Sequence, residues 1–194
     1  TGMTGCRGMA EVNGVVLLAY PDTIYSLVKS GETYTVTLLG DLPGDEPVSF
    51  ARNNKQPTPD IVAVTGGTAY QVYTDAAPDA YPDADVGGPN DVAFLQGYFI
   101  FSYGNAKLQA SALNDTAINT LDYTLAESRP DGLYRVVAFA DNIVAFGPAS
   151  IEIFRNTGEA DGFPLSLLGT VPRGLVVPGA VAGQEAGFAN QLIF

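Results

Sequence analysis

The residues of this chain that could carry chemistry are carboxylates, because the sequence contains no histidine. Histidine is the commonest general base, completes the usual serine and cysteine triads, and is a frequent zinc or iron ligand. Paired acids could still hydrolyse a glycoside if two of them stood about 5 to 9 Å apart. Glu11, Asp141 and Glu152 lie near apolar segments, but their spacing does not bring any two together. We interpret all three as outward-facing acids on strands or turns.

The densest acidic run is the segment from Asp75 to Asp85, which also contains two prolines. Clustered carboxylate oxygens are the ligands that calcium prefers. The run lacks the glycine turn and the closing glutamate of an EF-hand loop. We interpret it as a solvated projection stiffened by proline, and cation binding by the wider loop 75–91 stays open. We therefore expect no enzyme activity, no catalytic, cofactor-binding or metal-binding residues, and no cofactor.

Nucleotide and nucleic-acid chemistry are equally unsupported. No Gly-Lys-Ser or Gly-Lys-Thr tripeptide occurs, and Gly174 follows Arg173 in a turn without a phosphate-binding pattern. The triplet from Asn114 to Thr116 fits a glycosylation acceptor, a pattern that is common by chance. The formal net charge of −12 opposes binding to a phosphate backbone. We expect no tight nucleic-acid binding unless a basic surface gathers Arg7, Arg129, Arg135 and Arg155.

Several other features bound the class of protein. Cys6 is the only cysteine, so no intrachain disulfide exists and the fold depends on its apolar core. No apolar run reaches the eighteen or so residues that a membrane helix needs, and we expect no membrane association. The sequence starts at Thr1 without methionine and stops inside the strand-like segment 191–194. We expect a fragment of a longer protein, with residues 1–194 forming one domain.

The elements that must position these residues are short strands. The chain has 22 Gly and 13 Pro but few charges, which is typical of strands joined by tight turns. Period-two alternation and short apolar runs predict strands in four sets, with Leu175 to Phe194 beginning a fifth. The predicted strands are Val15 to Ala19, Thr23 to Lys29, Tyr34 to Leu39, Val48 to Ala51, Ile61 to Val64, Thr68 to Tyr73, Asp91 to Leu95, Tyr98 to Phe101, Lys107 to Leu113, Tyr134 to Ala140, Ile143 to Phe146 and Ser150 to Arg155.

These sets resemble one another at a fixed spacing. Strands that begin at Thr23, Thr68 and Ser150 each follow an apolar strand and a Gly or Pro turn, and each begins with a hydroxyl residue. A spacing of about 40 to 50 residues is the period of four-stranded propeller blades. The sequence therefore predicts an all-β, propeller-like array of antiparallel blades, incomplete in this fragment.

Three further expectations concern the strands and their packing. Val15 to Leu18, Ile61 to Val64, Tyr98 to Phe101 and Ile143 to Phe146 should be corresponding buried strands. A β-sandwich is the alternative, because it too has short strands at regular intervals. One helix is predicted over Ile118 to Ser128, where Leu121, Leu125 and Ala126 fall near one face before Pro130.

One stretch of the chain has a more specific pattern. A strand ends in Phe146-Gly147, and Ser150-Ile151-Glu152-Ile153-Phe154 follows. An Asn156-Thr157-Gly158 turn and Phe163-Pro164 complete the pattern. This stretch resembles the packaged-DNA stabilisation proteins of short-tailed phages, which are tail accessory factors. Segments at Arg7 to Met9, Val12 to Gly14, Asp91 to Phe99 and Leu121 to Tyr123 are similar to earlier parts of that family.

The resemblance implies a propeller-like virion protein that joins the portal to the tail and plugs the channel to retain packaged DNA. It further implies a homo-oligomeric ring, portal and tail proteins as partners, and assembly in the bacterial cytoplasm. It supplies no catalytic residues. Two other functions stay open from the residues alone: a carbohydrate-binding or glycoside-processing propeller, and a cellular protein-interaction scaffold, because one fold hosts many functions.

Overall fold

A computed structural model describes residues 5–126, 132–159, 162–183 and 191–194. Within these ranges, sixteen strands form four antiparallel sheets of four strands each, and the strands of each sheet are adjacent in chain order. We number the sheets 1 to 4 along the chain. No helix among the described residues is long and apolar enough to cross a membrane.

Each sheet consists of four consecutive strands. Sheet 1 contains β1 (Gly8–Val12), β2 (Val15–Ala19), β3 (Thr23–Ser30) and β4 (Thr33–Asp41). Sheet 2 contains β5 (Ser49–Arg52), β6 (Ile61–Thr65), β7 (Thr68–Val72) and β8 (Asp79–Ala80). Sheet 3 contains β9 (Asp91–Leu95), β10 (Tyr98–Ser102), β11 (Lys107–Ser111) and β12 (Ile118–Leu125). Sheet 4 contains β13 (Arg135–Phe139), β14 (Asn142–Phe146), β15 (Ile151–Asn156) and β16 (Leu165–Val171).

Tight two-residue turns set the register of the hairpins. Asn13-Gly14 joins β1 to β2, Gln96-Gly97 joins β9 to β10, and both residues of each turn have positive φ. Two positive φ values define the type I′ turn, whose twist matches that of the flanking strands. The turn at Ala140-Asp141 has the same conformation without a glycine, with φ values of 48° and 61°.

The four sheets follow one another around a common centre. The first strand of each sheet contacts the first strand of the next, so that β1 lies beside β5, β5 beside β9, and β9 beside β13. Apolar side chains fill the space between successive sheets. One core cluster joins sheets 1 and 2, a second joins sheets 2 and 3, and a third joins sheets 3 and 4. This radial packing of four blades confirms the propeller-like array, and it differs from two sheets packed face to face.

In no sheet is another strand more buried than the second one. All five residues of β6 are buried, and so are four of the five residues in both β10 and β14. These strands contain the segments that the sequence predicted to correspond, which confirms the repeat. The partial exception is β2, where only Leu17 and Ala19 are fully buried. Among the described residues, a neighbouring sheet packs on one face of sheet 1 only, which explains the difference.

The predicted helix over Ile118 to Ser128 is wrong for the residues that the structure describes. Residues Ile118–Leu125 form β12, which pairs with β11, and residues 127 and 128 lie outside the described ranges. Leu121 and Leu125 are four residues apart, a spacing that places side chains on one side of a helix and equally on one face of a strand. Leu121 is 78% exposed, so the apolar pattern did not mark a buried face.

The fifth set of strands is also absent from the described part of 172–194. These residues contain one isolated bridge, between Ala182 and Ile193. Leu175 and Val181 are buried against sheet 4, and the ring of Phe194 lies edge-on to that of Phe146 at 5.6 Å. We call Leu175, Val181 and Phe194 the terminal cover. The terminal cover occupies the face of sheet 4 on which a fifth blade would pack.

Candidate functional site

The first strands of sheets 2, 3 and 4 line a pocket of about 330 Å³. Residues of β5, β9 and β13 form most of its lining, and Met9 of β1 also lines it. Asp91 and Arg135 are the two charged residues among those that line it. The pocket lies at the blade junctions, where a propeller has its centre.

Asp91 connects three blades at this pocket. Its side chain is 3% exposed, and the backbone N–H groups of Val92 and Val136 donate to its carboxylate at 2.9 Å. The Ser49 hydroxyl of sheet 2 also donates to it, and the guanidinium of Arg135 in sheet 4 lies 3.7 Å away. A buried carboxylate must be matched by donors, since an unpaired one is costly to bury. Asp91 therefore acts as a polar cross-link between sheets 2, 3 and 4.

The burial of Asp91 gives a testable pH dependence. Burial raises the pKa of this carboxyl group, and the hydrogen bonds from Ser49 and Val136 only partly oppose it. A raised pKa in the folded state contributes stability below the unfolded pKa of about 3.9, and this contribution disappears as pH rises through the folded pKa.

We therefore expect the unfolding free energy of the wild type, minus that of Asp91→Asn, to fall as pH rises from about 3.9. Denaturant unfolding at a series of pH values measures this difference. A difference that rises with pH over that range would show that the donors outweigh burial.

Arg7 plays a similar part between sheets 1 and 2. Its side chain is buried, and its guanidinium donates to the carbonyls of Glu46 at 2.8 Å, Leu42 at 2.6 Å and Pro21. It also donates to the hydroxyl of Thr65, at the end of β6, at 2.7 Å. One planar guanidinium thus ties the β2–β3 turn and the segment that connects sheets 1 and 2 to the end of β6.

Several glycines mark the same junctions, because backbone meets backbone there. A Cβ atom on Gly8 would lie 2.2 Å from the carbonyl oxygen of Val48, at the start of sheet 2. A Cβ atom on Gly132 would meet the Gly104 carbonyl at the same distance. Glycine at these places permits an approach that any other residue would obstruct.

The three predicted carboxylates do not form a site. Glu11 and Asp141 are exposed on sheets 1 and 4, with sheets 2 and 3 between them. Glu152 pairs with Ala145, four residues from Asp141 along β14, which is a separation of about 13 Å along the strand. Glu152 is nevertheless 2% exposed, so the expectation that it faces outward was wrong.

The acidic run is anchored instead of projecting freely. Tyr81 is buried and its hydroxyl donates to the Thr116 carbonyl at 2.7 Å, while Val86 packs into the core between sheets 2 and 3. Asp83 accepts hydrogen bonds from the N–H groups of Asp85 and Ile118, which lower the pKa of its carboxyl group. The run is therefore not a free projection, but most of its carboxylates are exposed to solvent, as expected.

No three acids, cysteines or histidines of the described ranges converge in a way that could hold a metal ion.

The Asn156-Thr157-Gly158 turn has a local structural role. Gly158 has a φ of 75°, its N–H donates to the Asn156 side chain, and the Thr157 hydroxyl donates to the Pro164 carbonyl. Asn114 has a φ of 52°, and its side chain accepts from the N–H of Asn54 at 3.2 Å, which links sheets 3 and 2.

The basic surface that the arginines could have formed is not present among the described ones. Arg7 is buried with its donors engaged, Arg135 lies in the pocket beside Asp91, and Arg155 is exposed on β15. Arg129 lies outside the described residues.

The site around Asp91 holds neighbouring blades in fixed positions. One buried carboxylate surrounded by donors is not an acid–base pair.

Asp91 and Arg7 were missed as functional residues by reasoning from sequence. Both residues come at or immediately before the first position of an inner strand, where a charged residue meets an apolar run. That juxtaposition was the available signal, but most of the contacts that satisfy these charges come from residues that are distant in sequence.

Solved structures that are similar to this chain include two WD40 domains, one of them described as a β-propeller. The WD40 β-propeller domain of Doa1 aligns with a TM-score of 0.57 and 11% identity over 88% of this chain and 55% of that one. The Neurospora crassa Pan2 WD40 domain aligns with a TM-score of 0.56 and 10% identity over 87% and 52%. Apo AztD from Citrobacter koseri aligns with a TM-score of 0.54 and 11% identity over 87% of this chain and 47% of that one. The chain spans about half the length of these proteins, and the likeness concerns the fold.

The sequence itself matches a family model. The model is described as bacteriophage P22 Gp10, beta-propeller, and it matches residues 2–190. No curated protein matches the sequence.

Proposed function

Because the chain belongs to the phage stabilisation family described as bacteriophage P22 Gp10, β-propeller, we propose that it is a tail accessory factor that connects portal to tail and plugs the channel. Its role would be to stabilise packaged DNA inside the virion. The family match over residues 2–190 is the observation that carries this proposal.

The contacts between blades support a mechanical role. A plug must resist force without rearranging, and rigidity requires contacts that span successive blades. Arg7 joins sheets 1 and 2, and Asp91 joins sheets 2, 3 and 4, in both cases through buried hydrogen bonds. Satisfied buried polar networks favour one arrangement of the groups that they connect.

The partners in this proposal are the portal, other tail proteins and further copies of the chain arranged as a ring. The outer strands offer apolar contact residues for such neighbours. Leu121 on β12 is 78% exposed, and Leu167 and Leu168 on β16 are also exposed. The protein would assemble in the bacterial cytoplasm and reside in the virion tail.

The net charge indicates how such a plug would treat DNA. A chain with 21 acidic and nine basic residues repels phosphate groups, so DNA would not adhere to it during ejection. Retention would come from closing the channel and not from gripping the duplex.

We therefore expect the purified chain to bind duplex DNA weakly or not at all. Fluorescence anisotropy with labelled duplex at low and physiological salt measures this. Phosphate contacts would give an affinity that falls steeply with salt, since each contact releases counterions. Tight binding at physiological salt with a steep slope would show a basic surface and would contradict the plug mechanism.

The role in the virion needs its own experiment. Phage particles assembled without this protein should package DNA and then lose it, which nuclease sensitivity of the packaged genome measures. Complementation with the wild-type gene should restore protection. Particles that retain their DNA without the protein would contradict the proposal, whatever the result of the binding assay.

The glycoside-processing alternative has no observation in its favour. The pocket is lined by one carboxylate, Asp91, whereas glycoside hydrolysis uses two. Turnover of a glycoside that is abolished by Asp141→Asn or Glu152→Gln would revive it.

A further inference from the structure

The outer edge of sheet 3 is an open strand that carries exposed apolar side chains. β12 is the last strand in the order of sheet 3, so among the described residues one of its edges pairs with β11 and its other edge pairs with no strand. Sheet 3 packs between sheets 2 and 4 through apolar clusters. β12 therefore lies at the outer rim of a blade that has both neighbours, and not at an end of the array.

The free edge of β12 offers backbone hydrogen-bonding groups. The N–H of Ala126 donates to the Ala106 carbonyl at 2.9 Å, and β12 pairs with β11 in regular register from Tyr123 to Leu125. In an antiparallel pair, the N–H and C=O groups of successive residues point alternately toward the partner strand and away from it. Those of Tyr123 and Leu125 therefore point away from β11, where a further strand can pair with them.

The same strand carries apolar side chains that are exposed. Tyr123 and Leu125 are 45% and 41% exposed and share one face of the strand, and Leu121 before them is 78% exposed. We call these three residues, together with the free edge of β12, the open rim. Edge strands usually avoid pairing with other chains by being short or by carrying lysine or proline. β12 has eight residues without either, which favours pairing with an extended segment.

The charges around the open rim are mostly acidic. Asp122 lies within β12, and Asp115 lies in the turn before it. The carboxylate of Asp83 accepts from the N–H of Ile118 at 2.8 Å, and Asp85 belongs to a short 3₁₀ helix that contacts β12. An extended segment with basic residues complements this surface.

Two observations indicate where such a segment comes from. The ammonium group of Lys107, on the neighbouring strand β11, already donates to the side chain of Gln109 at 2.6 Å, so the surface around the open rim stays acidic. A second copy of the chain does not complement it, since no two of its nine basic residues are two positions apart in sequence. Two β12 strands side by side would also bring like charges together, which is unfavourable. The segment therefore belongs to a different protein.

We propose that the open rim binds an extended segment of a neighbouring protein by strand addition. The segment has apolar residues beside Leu121, Tyr123 and Leu125 and basic residues at the alternate positions. In this mode of recognition, backbone hydrogen bonds supply affinity and alternate side chains supply specificity. The inference rests on the proposed function only for the source of the segment, which is a neighbouring protein of the virion.

Binding of a synthetic peptide tests the open rim directly. The probe is a fluorescent peptide of alternating lysine and valine with blocked ends, long enough to span the eight residues of β12. We expect saturable binding to the wild type in fluorescence anisotropy at low salt. A peptide of alternating glutamate and valine should bind at least about 10-fold more weakly, because the acidic surface repels it.

N-methylated peptides distinguish strand addition from binding through apolar side chains alone. Methyl groups on every second backbone nitrogen of the lysine–valine peptide can be placed in two alternative sets. The set that faces β12 should abolish binding, because it blocks the backbone hydrogen bonds. The set that faces solvent should leave binding nearly unchanged.

Two variants test the apolar part of the open rim. Leu121→Ser, Leu125→Ser removes two exposed leucines from it and should weaken binding of the lysine–valine peptide by about 10-fold. The matched control, Leu167→Ser, Leu168→Ser, removes two exposed leucines from β16, the outer strand of sheet 4, and should bind the peptide as the wild type does. Circular dichroism shows whether both variants fold. If the first variant does not, the N-methylated peptides decide the matter with the wild type.

Four outcomes would overturn the proposal. They are no saturable binding to the wild type, equal binding of the two peptides of opposite charge, equal effects of the two N-methylated sets, and equal effects of the two double variants. A failed peptide assay together with loss of packaged DNA from particles without the protein would refute this inference alone. Peptide binding together with retained DNA would refute the proposed function alone.

Discussion

Replacing Arg7 by alanine should lower the unfolding free energy by about 3 to 5 kcal/mol, comparable to the loss of one partner from a buried charge network. The guanidinium donates to three carbonyls and one hydroxyl, and its removal takes this donor from the Leu42 carbonyl and the Thr65 hydroxyl at buried positions. Each buried acceptor without a partner costs about 1 to 3 kcal/mol. Chemical denaturation followed by circular dichroism measures the loss.

Two further variants show whether this loss of stability comes from the missing charge or from the missing hydrogen bonds. Arg155 is exposed on β15, so Arg155→Ala removes the same charge and should change stability by no more than about 0.5 kcal/mol. Arg7→Lys keeps the charge but lacks the planar fork, so it should lose most of the contacts and most of the stability. An Arg7→Lys variant as stable as the wild type would mean that the charge alone matters.

Replacing Gly8 by alanine should destabilise the protein by about 2 to 3 kcal/mol, the upper range for an overpacked core. The new Cβ would lie 2.2 Å from the carbonyl oxygen of Val48, and this oxygen belongs to the backbone. No side-chain rotation can relieve the clash, so β1 and the start of sheet 2 must move apart. The transition midpoint in denaturant measures the effect.

Gly169 provides the matched control. It also lies in a strand, β16, and an added Cβ there would meet nothing within 4 Å. Alanine at such a position should leave stability unchanged or raise it by up to about 1 kcal/mol, since glycine weakens a strand. Equal losses at Gly8 and Gly169 would show that strand propensity, and not the blade junction, sets the cost.

The repeat was predictable because its signal is local. Val15–Ala19 and Asp91–Leu95 were predicted with the bounds that the structure has, and the strands that begin at Thr23, Thr68 and Ile151 occupy the same third position in their sheets. Alternation and turn residues need only a few neighbours in sequence to be recognised.

The outer strands were harder to predict. β12 was predicted as a helix, and β8 and β16 were not predicted, since exposed strands lack a continuous apolar face. The inner strand β1 was not predicted either. It contains Gly8 and Glu11, whose types do not favour a strand, and contacts with β2 and β5 override this preference.

The candidate site was even harder to predict from the sequence. The sequence singled out Asp141 and Glu11 because they flank apolar runs, and both are exposed, as expected, so neither belongs to the site. Asp91 was predicted only as the first residue of a strand, and its partners Ser49 and Val136 are more than 40 residues away on either side. Contacts between residues so far apart in sequence depend on how neighbouring blades pack. No pattern among residues close in sequence predicts them.

The adjacency of the four sheets in chain order bears on how the protein folds during synthesis. Each hairpin pairs strands joined by short connections, and each sheet packs on the one made immediately before it. A single sheet exposes too much apolar surface to be stable alone, so each new blade gains its stability by docking on its predecessor. Sheet 2 can thus dock on sheet 1 as soon as it leaves the ribosome, and the Arg7 contacts form at that step. Asp91 acquires its last partners only when β13 emerges, so the cross-link between sheets 2, 3 and 4 is completed after sheets 2 and 3 have been made.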